Sequence, residues 1–222
     1  MTLSYTSRKY AMLNRPIESD RHLARVRRYL DPQRDDRVLE IGCSRGFLLQ
    51  RVRQELAPST IGVDLNPEAI ANSVIEGSLV MDAQSLAFED ESFDKLYSFH
   101  CIEHIPDLPR AFREMDRVLK PGGRVLLVYP AEPIRGLYVV PTAIILFGNA
   151  LRAREIHLHK LSPSKIERML TRTSLAITAS RLDLLLTPQF ITVLEKSAVP
   201  ARTAAFAPRR PRRAGLRALV RQ

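Results

Sequence analysis

The sequence predicts an α/β fold, a sheet covered by helices on both faces. Three observations predict it. Short, β-branched apolar segments alternate with segments of helical periodicity. The connections between them are short. The apolar runs end in glycine or an acid, as strand ends that face a ligand often do.

Ser19 or Asp20 can cap a first helix that carries Leu23, Val26 and Leu30 on one side. Arg37 to Ile41 is a first strand, followed by glycine. Leu48, Leu49, Val52 and Leu56 then follow helical spacing. Thr60 to Asp64 is the second strand, Pro67 opens a second helix, and Ser78 to Met81 is the third strand. Phe93 to Ser98 is the fourth. The next helix has the clearest pattern: Leu108, Ala111, Phe112, Met115, Val118 and Leu119 recur at three- and four-residue steps. Lys120-Pro-Gly-Gly123 stops it, and Arg124 to Tyr129 is the fifth strand. Ser162-Pro163 starts a late helix bearing Ile166, Met169 and Leu170. Leu175 to Arg181 and Phe190 to Glu195 are late strands with no helix between them, so they should pair antiparallel.

Length and charge bound the function. At 222 residues the chain suits one well-buried domain with loose ends. The expected division is an N-terminal helical lid segment (1–36), a main domain (37–200) with a substrate-side insertion (130–160), and an arginine-rich disordered tail (201–222). The formal charge of +10 gathers in that tail, which holds Arg202, Arg209, Arg210, Arg212, Arg213, Arg217 and Arg221 without an acid. A basic folded face for nucleic acid is therefore not expected, and no nucleic-acid partner is assigned. Cys43 and Cys101 form no disulfide framework and no zinc-ribbon spacing, which points to a reducing cytoplasm. The N-terminus has no apolar signal region. The longest apolar run, Leu137 to Phe147, contains Pro141 and is about half the roughly 20 residues a bilayer span requires.

The strand ends carry the chemistry. Gly42 and Gly46 in Glu40-Ile-Gly-Cys-Ser-Arg-Gly46 allow a tight turn and close approach to a ligand. Asp64 ends the second strand, Asp82-Ala83 follows the third, and Phe99 to His104, with Glu103, follows the fourth. An acid after the second strand is a common ribose clamp. Asp82 adds an acceptor for an adenine amine. A negative Glu40 beside the glycine turn would repel a pyrophosphate, which needs bare N–H groups, and would favour a cation. The dinucleotide pattern G-x-G-x-x-G also fits poorly, because Ser44 and Phe47 stand at its second and third glycine positions.

VLEIGCSRGFLL, IGVDLNPEAI, MDAQSLAFEDESFD, HCIEHIPD and LKPGGRVLLVYP, in this order, resemble the successive motifs of class I methyltransferases, especially the type 11 group with its ubiquinone and menaquinone biosynthetic enzymes. The resemblance runs from Arg37 to Tyr129 and fades toward Glu195. It implies a Rossmann-like sheet of seven strands, mostly parallel with an antiparallel last strand, and S-adenosyl-L-methionine as cofactor. By the same resemblance Glu40, Gly42 and Gly46 surround the methionine moiety, Asp64 holds the ribose, and Asp82-Ala83 frame the adenine. Ser98, Phe99 and His100 line the transfer chamber, and Cys43, Ser44 and Leu65 complete the cofactor contacts. One departure is Ser44, where the family has a glycine. Ser44 either caps the following helix or crowds the cofactor, which would leave a non-catalytic binding or membrane-adaptor protein.

The expected reaction is methyl transfer by in-line displacement to a small, apolar or lipid-like acceptor. Alignment alone is equivalent to about 7–11 kcal/mol of barrier. His100 and His104 are the candidate bases for a hydroxyl acceptor, with His157 and His159 as outsiders. His100-x-x-Glu103-His104 also fits the H-x-x-E-H pattern of inverted zinc peptidases, but the surrounding architecture is not a peptidase's, and no metal ligand is assigned. The Glu-His pair is usual in the resembling family. Some ubiquinone-type members place a divalent metal near it, with a carboxylate where His100 stands. Acceptor recognition falls to the 130–160 insertion, whose apolar run lies beside Arg152 and Arg154. That run is either a lid for the acceptor or a core helix. The tail could rest on an anionic membrane as a peripheral contact, or stay solvated.

Overall fold

The computed structural model describes residues 19–184 and 187–198, and the arginine-rich tail expected after residue 200 lies outside them. The elements run α1 (Ser19–Leu30), β1 (Val38–Ile41), α2 (Phe47–Glu55), β2 (Ile61–Asp64), α3 (Pro67–Ala71), β3 (Ser78–Val80) and β4 (Phe93–Phe99). They continue with α4 (Leu108–Val118), β5 (Leu119–Pro130), α5 (Val140–Phe147), α6 (Ala153–Ile156), α7 (Pro163–Met169), β6 (Leu175–Asp183) and β7 (Gln189–Lys196). Single 3-10 turns lie at Ile102–His104, Leu137–Val139 and Ala150–Arg152.

The seven strands form one sheet in the order β3-β2-β1-β4-β5-β7-β6. All neighbours pair parallel until β7, which runs antiparallel to both β5 and β6. The expected Rossmann-like sheet with a reversed last strand is what forms. β1 and β4 are adjacent, and the chain leaves them toward opposite sides of the sheet, so a crevice opens beyond their carboxyl ends.

Strand alternation divides the interior into two layers. Leu39, Ile41, Leu96 and Leu127 point toward α4 and α7, packing with Phe112, Met115 and Ile166. Val38, Tyr97, Leu126 and Val128 point the other way, onto Leu23, Val26 and Leu30 of α1 and Leu48 and Val52 of α2. The α4 stripe is buried as its spacing requires, and Asp107 caps the helix by accepting the Arg110 N–H at 3.0 Å.

Lys120-Pro-Gly-Gly123 ends the helix but does not stay outside the sheet. Leu119 already pairs with Phe93, the chain bulges, and register resumes at Lys95 and Arg124. Strand β5 is accordingly longer than the hydrophobic run alone suggests. Arg25 of α1 reaches across to Asp183 at 2.7 Å and to Gln189 at 3.2 Å, tying the N-terminal helix to the β6–β7 hairpin. Among the described residues, no helix is long and apolar enough to cross a membrane.

Candidate active site

A cavity of about 640 Å³ lies beyond the carboxyl ends of β1, β2 and β4. Its wall includes Glu40, Gly42, Cys43, Ser44, Asp64, Leu65, Asp82, Ala83, Phe99, His100 and His104, all residues that the sequence singles out. Gly46 and Ser98 are not part of that wall. Gly46 sits at φ +77° as the residue before α2, where a Cβ would come 2.9 Å from Ile75. Ser98 is buried in the sheet and its hydroxyl donates to the Ile41 carbonyl at 2.9 Å, bracing β4 against β1.

The glycine turn is held by backbone. The Gly42 and Cys43 N–H groups both donate to the Val63 carbonyl, at 2.8 and 3.0 Å. Gly42 sits at φ +82° with a virtual Cβ only 2.5 Å from Cys101, so only glycine fits there. That close approach also places the two cysteine-bearing turns side by side; both thiols are free. Ser44 does not cap α2, contrary to one sequence expectation. It takes φ +49°, and the capping position belongs to Gly46, which makes no side-chain bond. The serine adopts the backbone shape a glycine would take, and its N–H donates to Asp64 Oδ2 at 2.8 Å.

Asp64 is the hinge of this arrangement. Its Oδ1 accepts the Asn66 N–H at 2.8 Å, so each carboxylate oxygen holds one loop. The helix cap after β2 is Asn66, which accepts from Glu68 and Ala69. Burial raises the Asp64 carboxyl above its ordinary value, while the two N–H bonds oppose the shift. Asp82 accepts the Gln84 N–H at 2.8 Å and its side-chain amide at 3.0 Å, which fixes the loop after β3.

Glu40 corrects the simple charge argument. Burial, with a smaller push from Asp64, raises its carboxyl to about 8 despite the hydrogen bond that the Tyr97 hydroxyl donates at 3.0 Å. At neutral pH Glu40 is therefore protonated in the ligand-free cavity. Even so, the wall is acidic in character. Glu40, Asp64, Asp82 and Glu103 line it against one arginine, Arg45, whose guanidinium lies 5.2 Å from the Phe47 ring and donates to the Asn72 carbonyl.

The two candidate bases differ. His104 is buried, one ring nitrogen is 2.7 Å from the Ile156 carbonyl, and burial lowers its imidazole below the usual value. His100 is partly exposed, at φ +50°, with Nδ1 3.8 Å from Glu103. Burial penalises the Glu103 carboxylate, but the His100, His104 and His157 imidazoles more than offset it and hold it below the ordinary range. Among the described residues, Glu103, His104 and His157 present ligand atoms within 4.8 Å of one another, a grouping that could share a divalent ion.

Sequence reasoning missed several wall residues. His22 reaches the cavity from α1, its ring centroid 4.3 Å from that of Phe99, whereas Tyr138 and Thr142 enter from the apolar run of the insertion to which acceptor recognition was expected to fall. Behind the wall, Glu132 sits 3.0 Å from His157 Nδ1 and accepts the Gly136 and Tyr138 N–H groups. The signal for His157 existed in its neighbouring histidines, whereas nothing local marks His22 or Glu132.

Residues 39–127 match the family model described as a methyltransferase domain. Over 118 residues the chain is 33% identical to phosphoethanolamine N-methyltransferase 2 of Caenorhabditis elegans, covering 49% of this chain and 27% of that protein. Over 139 residues it is 30% identical to demethylmenaquinone methyltransferase of Staphylococcus aureus, covering 57% of this chain and 58% of that one. The chain thus spans less than two thirds of the curated relatives it matches. A solved structure of Haemonchus contortus phosphoethanolamine N-methyltransferase 2, in complex with phosphomonomethylethanolamine and S-adenosylhomocysteine, superposes with a TM-score of 0.62 at 17% identity. That match covers 81% of this chain and 53% of the other, a likeness of fold.

Proposed function

We propose that this chain, whose residues 39–127 match the methyltransferase-domain family model, carries out S-adenosyl-L-methionine-dependent methyl transfer to a small, apolar or lipid-like acceptor. The observation that carries this reading is the cavity at the β1, β2 and β4 ends, lined by Asp64, Asp82 and Glu103 beside a protonated Glu40, with Arg45 the one arginine among its described lining residues. Such a wall suits a cationic nucleoside and disfavours a phosphate chain.

Asp64 is assigned the ribose: each oxygen spends one lone pair on a backbone N–H and keeps capacity for the ligand's hydroxyls. Asp82, Ala83 and Leu65 are assigned the adenine side, and Glu40 with the turn from Gly42 to Ser44 the methionine side. When bound, the cofactor supplies a methyl group on a sulfonium, whose S–CH₃ bond breaks as the acceptor's new bond forms. The protein's task is then to align the acceptor and exclude water. For a hydroxyl acceptor, His100 is the proposed base, because His104 is held by the Ile156 carbonyl while His100 stays partly exposed on the wall. The lid role of residues 1–36 and the acceptor role of the 130–160 insertion belong to the same reading, supported by His22, Tyr138 and Thr142 on the wall. A cytoplasmic setting goes with it.

Titration calorimetry with S-adenosylhomocysteine tests the assignment. Wild-type protein should bind with one site. Asp64→Asn, which keeps the shape but loses the charge, should weaken binding by about 10²-fold, the size of two lost charged hydrogen bonds. Unchanged affinity in that variant refutes the ribose assignment. Turnover on quinol, phenol and amine panels then identifies the acceptor class.

A further inference from the structure

Among the described residues, 131–160 expose several large apolar side chains. Of the nine large hydrophobic side chains exposed among the described residues, five fall here: Ile134, Leu137, Ile144, Ile145 and Leu151, with exposures from 42% to 85%. Leu137 lies in the first 3-10 turn, Ile144 and Ile145 in α5, and Leu151 in the second 3-10 turn, beyond the break made by left-handed Gly148 and extended Asn149. Neighbouring side chains, Tyr138, Val139 and Thr142, line the cavity. The segment therefore presents apolar side chains to solvent and wall residues to the candidate site.

The charges of the segment are one-sided. Arg135, Arg152, Arg154 and Lys160 are all exposed, against a single exposed acid, Glu155. That acid is gripped by Arg152 at 2.9 and 2.7 Å, and the same guanidinium lies 3.9 Å from the Phe147 ring. Exposed aliphatic side chains with surplus cations are what an anionic lipid interface recognises: the chains enter the headgroup–acyl boundary and the arginines meet the phosphates. The eight residues of α5 are too few to span a bilayer, so the segment would lie on it.

We propose that this face is a peripheral membrane-docking surface for anionic lipid, which brings the cavity wall formed by Tyr138, Val139 and Thr142 beside the bilayer. Insertion stands on the exposed face alone; the corollary that a lipid-like acceptor is collected there rests on the methyl-transfer reading.

The sequence contains no tryptophan, so a single introduced one reports without background. Ile145→Trp and Leu151→Trp in the full chain place the reporter on the face, and Leu182→Trp, on the exposed edge strand β6, is the comparison. With vesicles of phosphatidylglycerol and phosphatidylcholine, emission at 145 and 151 should shift to the blue and be quenched by brominated acyl chains, while emission at 182 stays put. In the otherwise unaltered chain, Ile144→Asp with Ile145→Asp should lower vesicle partition at least about tenfold, with S-adenosylhomocysteine affinity unchanged. Emission at 145 that ignores vesicles overturns the proposal. So does vesicle binding that survives the double substitution, which would place the contact in the basic tail. A blue shift that tracks dimer mass without vesicles also overturns it and assigns the face to a second copy. Because cofactor affinity is read separately, failure of docking and failure of the methyltransferase reading are distinguishable.

Discussion

Glu40 shows how a single residue changes meaning between sequence and fold. Its charge looked like the feature that selects a cation, yet burial keeps it protonated until about pH 8. A sulfonium or ammonium group arriving beside it would favour the carboxylate and expel that proton. Calorimetry in buffers of different ionisation enthalpy should therefore detect proton release on S-adenosylhomocysteine binding at pH 7, and Glu40→Gln should abolish it. The sign for stability follows from the raised value. Between the unfolded carboxyl's ordinary value and about 8, the folded state holds a proton that the unfolded state has lost. Stability of the ligand-free protein should fall as pH rises through that window, with an integrated effect on the order of a few kcal/mol. Denaturant titrations of Glu40→Gln should lack this slope; equal slopes in the two proteins would show that Glu40 is ionised throughout.

Helix α4 and the turn from Gly42 to Gly46 represent two kinds of element. In α4 the residues speak for themselves: an Asp107 cap, proline in the first turn and a stripe of buried side chains from Leu108 to Val118. Phe112 is fully buried beneath the sheet, so Phe112→Ala should cost about 3–5 kcal/mol in urea unfolding, through lost burial plus the cavity left behind. A loss under 1 kcal/mol would mean the helix can collapse onto the gap. The glycine turn depends instead on partners far along the chain. Val63 accepts two of its N–H groups and Asp64 a third, so its shape is a property of β2 as much as of its own residues. Ser44 is tolerated at a left-handed position because that bond to Asp64 helps to compensate the backbone cost.

At the scale of the molecule, the sheet and the 131–160 segment meet through a polar seam. The Glu103 carbonyl accepts the Leu158 and His159 N–H groups, the His104 ring lies against the Ile156 carbonyl, and His157 sits between Glu103 and Glu132. The segment's own apolar core is small, built on Ala143, Ala153 and Ile156, so the seam carries much of the attachment. His157→Ala should raise amide hydrogen exchange across 131–160 by about tenfold or more, while β1, β4 and β5 keep their protection. Uniform acceleration through the sheet would instead make His157 part of the global core. Loosening of the segment should also expose the cavity wall formed by Tyr138 and Thr142.

The strands, the helices α1 to α4 and α7, the pairing of the two late strands and the run of acids at the strand ends were legible in the residues, because they rest on short-range periodicity and on local turn chemistry. The seven-stranded sheet with a reversed last strand was implied by the family resemblance, and α5 and α6 appear only in the fold. Leu108 to Val118 or Arg124 to Tyr129 could be assigned without knowing what they touch. The protonation of Glu40, the wall position of His22, the burial of Ser98 and the seam between Glu132, His157 and Glu103 could not. Each depends on which groups are brought together from distant parts of the chain, and on how much water is removed around them. Periodicity states which face of an element is apolar; folding alone assigns the dielectric and the neighbours that give a titratable group its role.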